Sequence, residues 1–78
     1  MKKTKRSKID TRLLKIARKL RQMRIDKGYS SYEQFAWDND INRVQYWRME
    51  KGANVTLNSL LKVLDVHKVS LKEFFKDI

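Results

Sequence analysis

Apolar residues in this chain nowhere alternate at period two for more than a few positions; they recur at spacings of three and four, in short blocks. That periodicity gathers them on one side of an α-helix and argues against half-buried strands. The clearest block starts from Ile9, with Leu13, Ile16, Ala17, Leu20 and Met23 in register and Arg or Lys filling the other faces. Asp10 or Thr11 can cap its start, and Gly28 is the expected left-handed stop.

The later blocks are shorter, and each carries its own punctuation. Ser30 and Ser31 are followed three residues on by Glu33 and Gln34, two overlapping capping boxes that open a second helix. It should end in Asp38-Asn39-Asp40, a polar cluster that tolerates turn geometry. Asn42 caps a third helix that runs to Lys51, with Gly52 as its stop. Thr56 opens a fourth, in which Leu57, Leu60, Leu61 and Leu64 form one apolar stripe, and His67 falls in the loop beyond it. Ser70-Leu71-Lys72-Glu73 is a further capping box, leading Phe74 and Phe75 into a short fifth helix. The chain contains no proline, as suits an all-helical protein. The expected fold is all-α: a compact bundle of about five short helices over residues 9–78, preceded by a flexible basic arm at 1–8.

Several function classes are excluded at this level. With 78 residues the core is small, since a chain of this size buries only about 60% of the surface its unfolded form exposes. Cysteine is absent, so neither a disulfide nor a thiolate zinc cluster can form, and with His67 as the only histidine no metal or other cofactor is expected. Lys or Arg interrupts every apolar stretch, so neither a signal segment nor a membrane span is expected, and the protein reads as cytoplasmic. The two glycines are isolated helix stops rather than a phosphate loop, and no His or Cys is paired for nucleophilic attack. No catalytic residue is expected, and the acids read as solvated faces and caps.

Charge is the first positive clue. Nineteen Lys and Arg against nine Asp and Glu give a net charge of +10. Twelve of those bases and two of the acids lie in residues 1–28, a local excess equal to the whole net charge; the remaining fifty residues hold seven of each sign. The N-terminal third therefore supplies the long-range attraction to a polyanion, with Lys5 and Arg6 of the arm as backbone contacts, while recognition must come from a few placed side chains.

The third helix carries those side chains. At 100° per residue, Tyr46 and Met49 share one side, and Arg43, Val44, Trp47, Arg48 and Lys51 span an opposite arc of roughly 140°. The first side belongs to the core. The second suits the major groove of B-DNA, where Arg pairs bidentately with guanine and small apolar groups touch the thymine methyl. Blander alternatives are that Trp47 packs over Arg43 or against the fourth helix, and that Arg43 and Arg48 are merely solvated.

Taken in order, the motifs resemble the Cro and lambda-repressor-like helix-turn-helix proteins, the xenobiotic-response-element (XRE) family. The matching features are Leu20 through Gly28 closing helix 1, Ser31 through Ala36 opening helix 2, Ile41-Asn42-Arg43 entering helix 3, and Met49-Glu50-Lys51-Gly52, similar to the family's hydrophobic-Glu-x-Gly ending. Ser59 through Leu64 and Val69 through Phe75 resemble its last two helices, so the likeness covers residues 11 to 76. The resemblance implies a sequence-specific double-stranded DNA-binding transcriptional regulator of the repressor type, associated with the nucleoid, whose helix 3 enters the major groove. Carried over, it places Arg43, Val44, Gln45 and Arg48 on base edges, with Trp47 on the same face, and Ser31, Tyr32 and Lys51 on the backbone. It also implies a homodimer; some members of the family pair through the last helix, which fits the difficulty of burying both Phe74 and Phe75.

The chain departs from the family pattern at four places. One extra residue lies between Gly28 and helix 2; Asn39-Asp40 replaces an apolar residue and glycine at the turn; Tyr46 and Trp47 are unusually large; and Trp37 either rests against the lengthened loop or marks a partner surface. A second reading is a protein-interaction module of the same fold, such as an antitoxin or a transcription adaptor, with Trp37 and Trp47 as anchors. A third is nonspecific nucleic-acid binding through the basic third.

Overall fold

A computed structural model describes residues 10–78, and within them five helices and no strand. They are α1 (Thr11–Asp26), α2 (Tyr32–Asp38), α3 (Arg43–Glu50), α4 (Leu57–His67) and α5 (Leu71–Phe75). The all-α bundle expected from the periodicity is therefore the fold. The arm at 1–8 with Lys5 and Arg6, and the proposed start at Ile9, lie outside the described residues.

Local chemistry sets the ends of every helix. Asp10 caps α1, accepting from the Arg12 amide at 2.8 Å and from the Arg12 guanidinium at 2.7 and 3.0 Å. That guanidinium, together with the backbone bond, holds the Asp10 carboxyl down to about 2. Of the two candidate serines it is Ser31 that caps α2, accepting from the Gln34 amide at 3.1 Å. No reciprocal capping box forms there: Ser30 is not the cap, and the Gln34 side chain donates to Asp38 at 2.7 Å. Ser70 and Glu73 do form the reciprocal box at α5.

At their C-termini α1 to α4 share one device: a residue with positive φ, followed by an amide that reaches back five residues. Gly28 (φ 100°) and Gly52 (φ 84°) fill that position after α1 and α3, whereas Asp40 (φ 56°) and Lys68 (φ 57°) fill it after α2 and α4. The returning bonds are Tyr29 to Arg24, Ala53 to Arg48, Ile41 to Ala36 and Val69 to Leu64, at 2.9 to 3.1 Å. The turn between α2 and α3 thus closes without glycine, and Asn39 reinforces it by donating its side-chain amide to the Phe35 carbonyl at 2.8 Å.

The core takes side chains from every helix: Leu20 of α1, Phe35 and Ala36 of α2, Tyr46 and Met49 of α3, Leu60, Val63 and Leu64 of α4, and Phe74 of α5. Phe35 sits at its centre, meeting Tyr46 at 5.0 Å between ring centroids and Tyr29 edge-on at 5.3 Å. Two expectations are corrected here. Leu57 and Leu61 face solvent while Val63 is buried; both leucines lie at one edge of the apolar arc, and α4 is rotated so that the side between Leu60 and Val63 meets the core. His67 is the last residue of α4 rather than a loop residue, and its ring stacks on Phe35 at 5.4 Å. Its Nε2 is buried without a hydrogen-bond partner among the described residues. Burial, with help from the nearby Lys27 charge, pushes the His67 pKa below its usual value. Of the two adjacent phenylalanines only one is inside: Phe74 is buried and Phe75 is exposed.

Candidate nucleic-acid interface

α3 begins where Asn42 accepts from the Gln45 amide at 2.9 Å, which puts Arg43, Val44 and Gln45 in its first turn. Tyr46 and Met49 are buried, so the rotation of the helix is fixed. Arg43, Val44, Gln45, Trp47, Arg48 and Lys51 all face solvent.

The contact that locks α3 against α1 is an ion pair rather than an apolar one. Arg24 and Glu50 form an ion pair with side chains only 6% and 7% exposed, Nε to Oε2 at 2.7 Å and Nη2 to Oε1 at 2.9 Å. The third donor edge of Arg24 reaches the Tyr29 carbonyl at 2.8 Å. Glu50 is thus no solvated acid, and the carboxylate raises the Arg24 pKa. The Tyr46 hydroxyl lies close to this pair without a hydrogen bond of good geometry. Burial, then the Glu50 carboxylate, raises its pKa strongly. A signal for the pair was present: Arg24 follows Ala17 and Leu20 on the inward stripe of α1, and Glu50 stands one turn after Tyr46.

The pairings also redistribute the basic charge of the N-terminal third. Arg12 is matched by Asp10, Lys19 by Asp77 at 3.1 Å, and Arg24 is buried. In α1 and the turn after it, Lys15, Arg18, Arg21 and Lys27 are exposed, with no carboxylate at ion-pair distance among the described residues.

Around α3 the proposed contact residues differ in how free they are. Arg43 is exposed, yet its Nη1 lies 3.4 Å from Oε2 of Glu33 on α2, an acid the sequence did not single out for this face. Trp47 is half exposed, at 42%, with the Lys51 ammonium 5.6 Å from its ring centroid; a cation over an indole face is a favourable placement. Gln45 and Arg48 border a cleft of about 280 Å³ shared with Asn54, Thr56 and Ser59. Gln45 also borders a smaller one, about 190 Å³, with Asn58 and Lys62. The N-terminal end of α4 therefore adjoins the same surface, which periodicity alone did not indicate.

At the start of α2, the Ser31 hydroxyl oxygen accepts in capping, which leaves its O–H to donate, and Tyr32 is half-buried against the core, so Tyr32 offers only part of its ring to solvent. Trp37 does not rest against the lengthened loop; it is 84% exposed. It lines an open cleft of about 630 Å³ with Ile41, Ser31, Gln34, Glu33 and Arg43. No described helix is long and apolar enough to cross a membrane. Among the described residues, no group of three or more His, Asp or Glu is placed to share a metal ion. The chain matches no protein-family model, no curated protein and no solved structure.

Proposed function

We propose that the chain is a sequence-specific double-stranded DNA-binding protein, a helix-turn-helix regulator in which α2 lies across the backbone and α3 enters the major groove. The observation that carries this reading is the division of α3. Tyr46 and Met49 are committed to the core, while Arg43, Val44, Gln45 and Arg48 project together from a short exposed helix. Two arginines, an amide and a small apolar group are the side-chain types that read guanine, adenine and thymine edges. Ser31, Tyr32 and Lys51 flank them as backbone contacts, and the basic arm with Lys5 and Arg6 adds further ones. The protein acts in the cytoplasm on the nucleoid, without a cofactor and without catalysis.

Pairing of two copies supplies the two-fold symmetry that such sites use, with half-sites about 34–36 Å apart. Exposed Leu71, Phe75 and Ile78 near the C-terminus support that pairing. The test is selection from a random double-stranded DNA pool at about 150 mM salt, where exposed charges are screened beyond roughly 8 Å. A recovered motif with guanine opposite Arg43 or Arg48 supports base reading by α3, and Arg43→Ala should then weaken the best site by about 1–3 kcal/mol. A pool that stays random refutes it.

A second reading, a protein-interaction module such as an antitoxin or a transcription adaptor, is favoured by one observation, the exposure of Trp37 beside the α2–α3 cleft. Stoichiometric copurification of a protein whose binding is abolished by Trp37→Ala would favour it.

A further inference from the structure

Among the described residues, Arg43 is the one proposed base reader that already holds a carboxylate. Glu33 is the second residue of α2 and Arg43 the first of α3, and they meet through a single approach, Nη1 to Oε2 at 3.4 Å. Both side chains are more than half exposed, at 57% and 63%, so in the free protein the pair is weak and easily rearranged. Guanidinium has five N–H donors, and guanine recognition in the major groove needs two of them, directed at O6 and N7. Arg43 can therefore keep Glu33 on one edge of its fork and present another edge to a base.

We propose that Glu33 is a positioning residue for base discrimination: it holds the Arg43 guanidinium and makes that arginine's contact with DNA conditional on the base it meets. The inference rests on the DNA-reading role proposed for α3. Opposite guanine, Arg43 bridges the carboxylate and the base acceptors, and every charge brought out of water is matched. Opposite a base pair lacking that acceptor pattern, Arg43 is left with Glu33 alone, and the carboxylate stands near phosphates with nothing gained in return. Withdrawal from water in the groove strengthens both effects, because a lower effective dielectric magnifies attraction and repulsion alike. Without Glu33, Arg43 would be a freely swinging cation able to settle on a backbone phosphate at any sequence. Specificity would here come partly from a repulsive element placed next to an attractive one.

Glu33 has a simpler role to separate from this one, since a carboxylate in the first turn of α2 also favours the helix dipole. A double-mutant cycle makes the separation. Full-length protein, Glu33→Gln, Arg43→Ala and the double variant are titrated against the site recovered for wild type, against that site changed at the base pair assigned to Arg43, and against random duplex. Glu33→Gln should strengthen binding to the changed site and to random duplex more than to the best site, lowering discrimination about two- to fivefold. In the Arg43→Ala background, Glu33→Gln should leave discrimination unchanged. Unaltered discrimination in Glu33→Gln, or an equal drop with and without Arg43, overturns the positioning role while α3 reading stands. Failure of the wild type to select any motif overturns both.

Discussion

Replacing Glu50 with alanine strands the Arg24 guanidinium in the interior. The pair is bidentate at 2.7 and 2.9 Å, both side chains are under a tenth exposed, and the one remaining acceptor of Arg24 is the Tyr29 carbonyl. Removing one partner of such a pair costs about 3–5 kcal/mol, because the surviving charge stays desolvated without its counterion. A chain of 78 residues has a total stability of roughly 4–12 kcal/mol at about 0.05–0.15 kcal/mol per residue. Glu50→Ala should therefore consume about a quarter of it or more and lower Tm by at least about 12 °C, taking about 4 °C per kcal/mol for a domain of this size. The double replacement Arg24→Met with Glu50→Leu removes both charges and should be less destabilising than Glu50→Ala alone. Urea unfolding followed by circular dichroism measures wild type and both variants. A cost for Glu50→Ala below about 1 kcal/mol, the range of an exposed pair, would refute the claim that this ion pair anchors α3 to α1.

Other expectations follow from the same packing. His67 has a folded-state pKa below its ordinary 6.5, so the unfolded chain binds the proton first; its contribution is fully present above pH 6.5 and fades as pH falls below that, and His67→Gln should flatten stability between about pH 7 and pH 5 in denaturant titrations. Lys68 occupies a left-handed position at φ 57°, and Lys68→Gly should raise stability by about 0.5–1 kcal/mol, seen as a higher urea midpoint at unchanged slope. Tyr46→Phe removes a buried hydroxyl that lacks a good hydrogen bond and should change unfolding free energy by less than about 0.5 kcal/mol or raise it. Deleting residues 1–8 should reduce the slope of log affinity against log salt by about 0.9 for each phosphate the arm no longer neutralises; an unchanged slope would remove the arm from the interface.

The α3 surface marks the boundary of what could be read from the chain. Its outward set was legible, because Tyr46 and Met49 are apolar at a spacing of three and a helix wheel needs nothing else. That Arg43 would lie against Glu33 was not, since the two residues sit on separate helices and their approach depends on the angle of the intervening turn. The stop of α2 at Asp40 was harder to read than the glycine stops after α1 and α3, because a left-handed aspartate has no signature of its own.

The number and order of the helices, and most of their ends, follow from the amino-acid order alone; the end of α4 at His67 did not. Capping and C-terminal closure are chemistry within five or six consecutive residues, and Asp10, Ser31, Asn42, Thr56 and Ser70 each act on an amide two or three positions away. Which charges are buried and which faces turn outward was settled by packing between distant segments: Arg24 on Glu50, His67 stacked on Phe35, Leu57 and Leu61 left in solvent. The reason is that desolvation belongs to a place in the fold rather than to a residue. A charge or an apolar edge is hidden only when a neighbour far along the chain covers it, and the identity of that neighbour follows from how five short helices share one small core.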